Sequence, residues 1–143
     1  MKTQAGFLIS QIKLIGGRVF EKILAKENIS DFNGAQGKIL YVLWERDKIS
    51  IIELSKAVGL ANTTLTSMLD RMEEAGLIKR FPDPEDRRKN LIALTDKARG
   101  LREKYEQVSQ EMNEVYYKGF SEGEIAEFEM YLQRVLKNVK EKI

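Results

Sequence analysis

The spacing of apolar residues predicts a chain built mainly from amphipathic helices. From residue 7 to about residue 26, apolar side chains recur every three or four positions, which is the period of one helix face. The apolar stripe of this first helix is wider than one packed face requires. The helix is therefore either deeply buried in its own chain or in contact with a second chain.

Local residues mark where three further helices begin and end. A second helix follows Asn33, and a third runs from Ser50 to Gly59. A fourth helix begins near Asn62 and ends at Gly76. Ser with Glu three residues later is a capping box, and glycine commonly follows the last helical turn. Periodicity and end signals thus predict the same boundaries.

The last third of the chain predicts two long helices with apolar seams. The fifth helix begins at Thr95, and its apolar residues are spaced 3, 4, 3, 4, 3, as in a heptad seam. Ser121 with Glu124 forms the capping box of a sixth helix. The apolar surplus of the first, fifth and sixth helices fits either a plain core or a homodimer interface. We expect the homodimer, because these three helices have little else in the chain to bury against.

A β-hairpin is predicted between the fourth and fifth helices. Leu77–Phe81 and Asn90–Leu94 are short apolar runs, and Pro82 and Pro84 break the first of them because proline cannot donate to a strand ladder. Two short helices followed by a hairpin form a winged helix-turn-helix. The predicted fold class is mainly α with a small β-hairpin wing and six helices. We expect one domain, 1–143, with a DNA-reading part at 33–94 and dimerisation helices at 5–28 and 95–143.

The charge distribution favours a nucleic-acid partner more than the total charge does. The formal net charge is only +2, yet Lys79–Arg102 contains eight basic and four acidic residues, and 103–143 contains six basic and nine acidic residues. Nucleic-acid binding depends on where the cations lie rather than on their sum. The positive excess coincides with the predicted hairpin.

The fourth helix carries short polar side chains near its start. Asn and Ser/Thr side chains reach base edges in a major groove, and the N–H groups of a helix start suit phosphate oxygens. The alternative is an ordinary Thr-rich surface helix. The predicted DNA-binding residues of this helix are Asn62, Thr63, Thr64, Ser67 and Arg71.

The hairpin tip contains Arg87, Arg88 and Lys89 directly after Glu85 and Asp86. Cations on a turn can enter a narrow minor groove, where the negative potential is enhanced. The neighbouring acid would weaken that attraction unless it orients an arginine. We therefore predict that Asp86 supports Arg88 through a two-point ion pair, and that Asp86, Arg87, Arg88 and Lys89 form the DNA-binding wing. The alternative is an ordinary solvated, charged turn.

Composition and motifs argue against other classes of protein. The chain has no histidine and no cysteine, so the commonest general base, thiolate metal sites and disulfides are absent. We find no nucleotide-binding loop or catalytic motif, and predict no enzyme activity, no metal, no cofactor and no membrane partner. An enzyme based on Asp, Glu and Tyr is a residual hypothesis. We expect a cytoplasmic protein.

Three segments in order resemble the MarR family of bacterial regulators over nearly the full chain. Asp86–Thr95 is similar to the D-x-R wing of the family and the L-T start of the following helix. Asp70–Ile78 is similar to the end of its recognition helix, D-R-L-E-x-x-G-L-[IV], and Leu54–Leu60 resembles its L-A-x-x-L-G-[LI] turn.

The resemblance implies a dimer formed by the first, fifth and sixth helices. It further implies a fourth helix in each major groove and Arg88 of each wing in a minor groove. Proteins of this family usually repress genes at a palindromic operator and release DNA when a small aromatic or lipophilic anion binds. The lack of cysteine excludes the thiol-oxidation branch of the family for this chain.

Two departures from the family pattern concern the fourth helix. Ala61 stands where many relatives have a Ser or Asp cap, so we expect Asn62 or Thr63 to cap the helix instead. Ser67 stands where relatives often carry a longer basic residue.

A ligand pocket is expected between the first helix, the second helix and the start of the fifth. Its predicted lining is Phe20, Ile39, Tyr41, Trp44 and Leu101, which the alternative reading assigns to plain core. The leading hypothesis is a dimeric regulator, most simply a repressor, of double-stranded DNA. The alternative is a winged-helix module that docks onto another protein without specific DNA binding.

Overall fold

The structure is a computed structural model that describes all 143 residues. The chain divides into two compact units, Met1–Ser109 and Gln110–Ile143. The elements in chain order are α1 (Ala5–Lys26), α2 (Gly34–Glu45), β1 (Ile49–Ser50), α3 (Ile51–Val58), α4 (Asn62–Glu74), β2 (Ile78–Pro82), β3 (Asn90–Leu94), α5 (Asp96–Arg99), α6 (Arg102–Tyr116) and α7 (Glu122–Lys140). None of the helices combines the length and the apolar composition that a membrane span requires.

The predicted capping boxes are present at α3 and α7. Ser50 accepts from the backbone N–H of Glu53, and the Glu53 side chain accepts in return from Ser50. Ser121 and Glu124 form the same pair at α7. Gly59 and Gly76 follow α3 and α4 with φ of 74° and 76°, a conformation that glycine adopts without the cost that a Cβ imposes. These helix ends are therefore fixed by local chemistry, as predicted.

The hairpin forms the expected wing, and one further strand joins it. β2 and β3 pair antiparallel, with Ile78 opposite Leu94 and Pro82 opposite Asn90. The two-residue strand β1 pairs with the other side of β3, giving the order β1-β3-β2. β1 was not predicted, because two residues are too few to show an alternating pattern. It fastens the start of α3 to the base of the wing.

The core of the first unit lies where α2, α3 and α4 meet the sheet. Leucine, isoleucine and methionine side chains of these elements are removed from water almost completely, which is the main favourable term in folding. The largest fully buried side chains are Ile39, Leu40, Leu43, Leu54, Leu65, Leu69, Met72, Leu77, Ile78, Ile92, Leu94 and Val108.

The predicted fifth helix is interrupted in the structure. Its first turn is α5, capped by Thr95, and Gly100 follows before α6 begins at Arg102. In the predicted seam of this helix, Ala98, Leu101, Val108 and Met112 are buried and Tyr105 is half-buried, whereas Val115 is 53% exposed. The heptad pattern thus marks a face that is largely covered within the chain itself.

In the second unit, α7 has no buried residue. Its apolar stripe is exposed from Phe128 to Val139. The rings of Tyr117, Phe120 and Phe128 pack edge to face, with centroids 5.6 to 6.2 Å apart. The Tyr117 hydroxyl donates to Glu129 at 2.5 Å, and this bond raises the pKa of Tyr117 to about 12.

Candidate nucleic-acid interface

The exposed face of α4 is the polar face that the sequence predicts. Leu65, Leu69 and Met72 are fully buried on the opposite side, which fixes the rotation of the helix about its axis. Every predicted contact residue on this helix is exposed to solvent: Asn62, Thr63, Thr64, Ser67 and Arg71. The five side chains are therefore brought onto one accessible element.

The expected cap of α4 is wrong. Ala61 is the N-cap residue and Asn62 is already the first helical residue, and no side chain makes a capping hydrogen bond there. A residue inside the helix cannot take the extended backbone conformation that an N-cap requires. The first N–H groups of α4 consequently point outward without a side-chain acceptor, a suitable arrangement for an anionic oxygen.

The wing tip, residues 83–89, is held by its own hydrogen bonds. The backbone N–H of Asp83 donates to Lys89 O at 2.8 Å, and the N–H of Lys89 donates to Asp86 O at 2.9 Å. The N–H of Glu85 donates to the Asp83 carboxylate at 2.9 Å. These bonds close the loop without support from another element, so the tip projects from the hairpin with a defined backbone.

The predicted pair between Asp86 and Arg88 is confirmed. Arg88 Nε lies 3.0 Å from Asp86 Oδ1, and Arg88 Nη2 lies 3.3 Å from Asp86 Oδ2. The backbone N–H of Arg88 donates to Oδ1 as well, at 3.1 Å. The Arg88 side-chain hydrogen bonds, followed by its backbone N–H, lower the pKa of Asp86. The carboxylate thus orients a guanidinium whose side chain is 90% exposed.

Arg87 and Lys89 lie on either side of Arg88 and are also exposed. Glu85 is exposed at the same tip. Two further exposed cations therefore flank the oriented arginine, and the three basic residues of the tip equal its three acidic residues in number.

The base of the wing is tied to the neighbouring helices by residues that sequence reasoning did not single out. Asp47 accepts from the backbone N–H of Leu94 and from Arg99, each at 3.0 Å. The pKa of Asp47 is lowered: its partial burial opposes that change, and the bonds from Leu94, Arg99 and Lys48 outweigh it. Nothing in the local sequence around residue 47 indicates Leu94 and Arg99 as partners, because they lie 47 and 52 residues away.

Three of the five predicted ligand-lining residues lie around one aromatic ring. The Tyr105 centroid is 6.1 Å from Phe20, 6.0 Å from Tyr41 and 5.3 Å from Trp44. Ile39 and Leu101 are buried, at 0% and 6% exposure, whereas Tyr41 is 52% exposed. The Trp44 indole N–H donates to Ala98 O at 3.0 Å. Sequence reasoning assigned Tyr105 to a packing seam, and its position at the centre of this cluster was not foreseen.

Burial raises the pKa of the Tyr105 hydroxyl above its ordinary value. The chain contains no group of three His, Cys, Asp or Glu side chains placed to hold a metal ion.

Comparison with known proteins places the chain among regulators. The sequence model of the MarR family matches residues 32–89. The HTH-type transcriptional regulator TtmR of Methylorubrum extorquens is 38% identical over 88 residues, which are 62% of this chain and 44% of that protein. The multiple antibiotic resistance protein MarR of Escherichia coli is 33% identical over 107 residues, 74% of each chain. A crystal structure of a mutant E. coli MarR complexed with operator DNA superimposes with a TM-score of 0.81 at 30% identity, covering 92% of each chain.

Proposed function

The chain belongs to the MarR family, and from that premise we propose that it regulates transcription by binding a specific sequence of duplex DNA as a homodimer. It is a regulator rather than an enzyme. We assign it the role of a repressor that binds a palindromic operator and releases this DNA when a small aromatic or lipophilic anion binds to the protein.

The observation that carries the proposal is the oriented guanidinium of Arg88. A side chain that is 90% exposed would ordinarily sample many rotamers, but this one is held by two hydrogen bonds that its guanidinium donates to the Asp86 carboxylate. Holding the cation before binding lowers the entropy lost on entering a minor groove. Arg87 and Lys89 provide further contacts to phosphates.

The exposed face of α4 is the second DNA-binding surface in this proposal, beside the wing. Asn62, Thr63, Thr64 and Ser67 supply short polar groups at the helix start, and Arg71 supplies a cation one turn later. Short side chains let the helix backbone approach the floor of a major groove closely, and the uncapped N–H groups face phosphate oxygens.

The homodimer is proposed from exposed apolar helices. Phe7, Leu8, Ile9, Ile12, Leu14 and Ile15 of α1 are each 46 to 65% exposed. On α7, the apolar side chains from Phe128 to Val139 are 38 to 58% exposed. Contiguous apolar surface of this kind marks an association site on a protein in water. We therefore assign 5–28 and 95–143 to dimerisation and 33–94 to DNA reading.

The ligand site is proposed at the aromatic cluster around Tyr105. Phe20, Tyr41 and Trp44 offer ring faces to an aromatic guest, and Ile39 and Leu101 close the buried side. Trp44 is the single tryptophan of the chain. Its fluorescence during titration with aromatic carboxylates tests the site, and an unchanged signal with DNA still released would place the ligand elsewhere.

Selection of bound sequences from a random pool of duplex DNA tests the function directly. At about 100 mM salt, phosphate attraction does not mask sequence preference. A palindrome with half-sites about one helical turn apart, ~34 Å, is the expected result for a dimeric reader. Recovery of no preferred sequence by a folded dimer would instead favour docking onto a protein partner.

Replacing Arg88 tests the wing. We expect Arg88→Ala to weaken binding to the selected duplex by about 1–3 kcal/mol, because the oriented cation is lost while the fold is not. The matched control is Lys38→Ala, an exposed cation of α2 outside the proposed surface. Equal affinity of Arg88→Ala and the parent protein would show that the wing does not read DNA.

A further inference from the structure

Arg80 lies in the middle of β2 and joins this strand to α4. Its Nη2 atom lies 2.7 Å from Asp70 Oδ1 and 3.0 Å from Glu73 Oε1. The backbone N–H of Arg80 donates to the other oxygen of Glu73 at 3.1 Å. Asp70 and Glu73 are three residues apart, so both lie on the same side of the helix. One residue of the wing therefore binds two carboxylates of the helix.

The contacts of Arg80 lie farther along the wing than the hydrogen bonds that fix the turn between α4 and β2. The turn itself is fixed by the bond from Leu77 N–H to Met72 O, at 2.9 Å, and by that from Lys97 Nζ to Ala75 O, at 3.0 Å. Those bonds define where β2 starts. Arg80 adds a second connection between the strand and the helix, two residues beyond the start of β2.

The same contacts determine the charge of the DNA-facing side. The side chains of Asp70 and Glu73 are 60% and 42% exposed, and the Arg80 side chain is 25% exposed. The Arg80 side-chain hydrogen bond is the largest cause of the lowered pKa of Glu73, so this carboxylate is ionised at neutral pH. An ionised carboxylate without a cation beside it would repel the phosphates that α4 approaches.

We propose that Arg80 is a positioning residue for DNA binding, which holds the wing in register with α4 and neutralises Asp70 and Glu73. This inference rests on the proposed function. It assigns to Arg80 no contact with DNA: its guanidinium is engaged by the two carboxylates, and its effect on binding is exerted through them.

A double-mutant cycle separates this role from a direct phosphate contact. The cycle comprises four proteins: the parent, Arg80→Gln, the variant that carries both Asp70→Asn and Glu73→Gln, and the variant that carries all three replacements. Binding is measured to the duplex selected from the random pool and, at low salt, to a duplex of arbitrary sequence. Circular dichroism and urea midpoints establish that each variant is folded.

We expect strong coupling within the cycle. Arg80→Gln leaves two carboxylates unpaired and should weaken binding about tenfold. The acid replacements should change the Kd of the parent less than about threefold, since the amide oxygens of Asn and Gln can still accept from Arg80 and keep the wing in register. They should also restore most of the loss in Arg80→Gln, because the charges that repel phosphates are gone. An additive cycle, in which Arg80→Gln costs the same with and without the acids, would overturn the proposal.

Two further variants sharpen the test. Lys79→Gln removes an exposed cation of the same strand outside this network, and it should show no coupling to the acids. Arg80→Lys keeps the charge but not the forked geometry of the guanidinium. It replaces Arg80→Gln in the cycle if that variant does not fold. Its expected loss is about threefold, again abolished by the acid replacements, and an additive loss would overturn the proposal. Parent protein that binds neither duplex would refute the proposed function and this inference together, whereas binding with an additive cycle would refute the inference alone.

Discussion

At the scale of single residues, the wing tip depends on one carboxylate placed two positions before an arginine. Asp86 meets the side chain and the backbone N–H of Arg88 at once. Side chains two residues apart meet here because the backbone of the tip turns between Asp86 and Arg88. The pair is thus a local property of the loop, and it does not depend on distant packing.

The titration of Asp86 gives a residue-scale prediction. Its folded-state pKa is lowered, so any stability from the pair is present above the unfolded pKa of about 3.9 and is lost as pH falls through the folded value. In Arg88→Gln the pKa of Asp86 should rise towards its ordinary value, as read from carboxyl carbon shifts in NMR. Asp47, which is bound by Leu94 and Arg99, is the internal control and should titrate as before. An unmoved Asp86 would show that the pair is absent in solution.

At the scale of elements, local signals sufficed for the starts of α3 and α7, but they failed for the cap of α4, for the break at Gly100 and for packing partners. Ser50 with Glu53 specifies a cap within four residues, so the start of α3 was predictable. The wing pair of Asp86 and Arg88 was predictable for the same reason. The partners of Arg80 and Tyr105 depend on which elements meet, and periodicity indicates only that a face is covered. Gly100 divides α5 from α6 without disturbing the apolar spacing, so the seam pattern did not reveal it.

The junction of α2 with α6 offers an element-scale prediction. A Cβ on Gly37 would lie 2.8 Å from Tyr105 Cε2, closer than side-chain atoms tolerate. We expect Gly37→Ala to lower the free energy of unfolding by about 1–3 kcal/mol, since the ring must move in a packed cluster. Urea unfolding followed by the fluorescence of Trp44, 5.3 Å from that ring, measures the change.

Gly100→Ala is the matched control for this substitution. Its Cβ would meet only ordinary contacts, at 3.5 Å from Lys97 O and 3.8 Å from Asp96 O, and its φ of −70° suits alanine. Alanine there should be neutral or stabilising by up to about 1 kcal/mol. If both variants lost stability equally, the contact with Tyr105 would not be the cause.

At the scale of the whole molecule, the exposed apolar helices predict a protein whose association into dimers depends on its concentration. Leu132 of α7 is 41% exposed in a single chain. Leu132→Glu should convert a dimer into monomer in sedimentation experiments, because a carboxylate buried at an apolar interface costs several kcal/mol. Asn138→Glu adds the same charge to α7 away from the stripe and should leave the dimer intact. A Leu132→Glu protein that sediments as a dimer would exclude this face of α7 from the interface.

Monomeric variants should also bind the selected palindrome with lower affinity, because its two half-sites can no longer be occupied by the two linked DNA-reading parts of one dimer. The parent protein should unfold at a higher temperature when its concentration rises, as expected when folding and association are coupled.

The bond between Glu73 and the backbone of Arg80 has a consequence for solubility. β2 is an edge strand of the sheet, and an open edge is a template on which strands of other molecules can assemble. Glu73 occupies the N–H of Arg80 on that edge, and Pro82 supplies no N–H at all. Two positions on the β2 edge therefore offer no free N–H to an added strand. A protein with so much exposed apolar surface can thus associate through its helices while this edge of its sheet disfavours the addition of foreign strands.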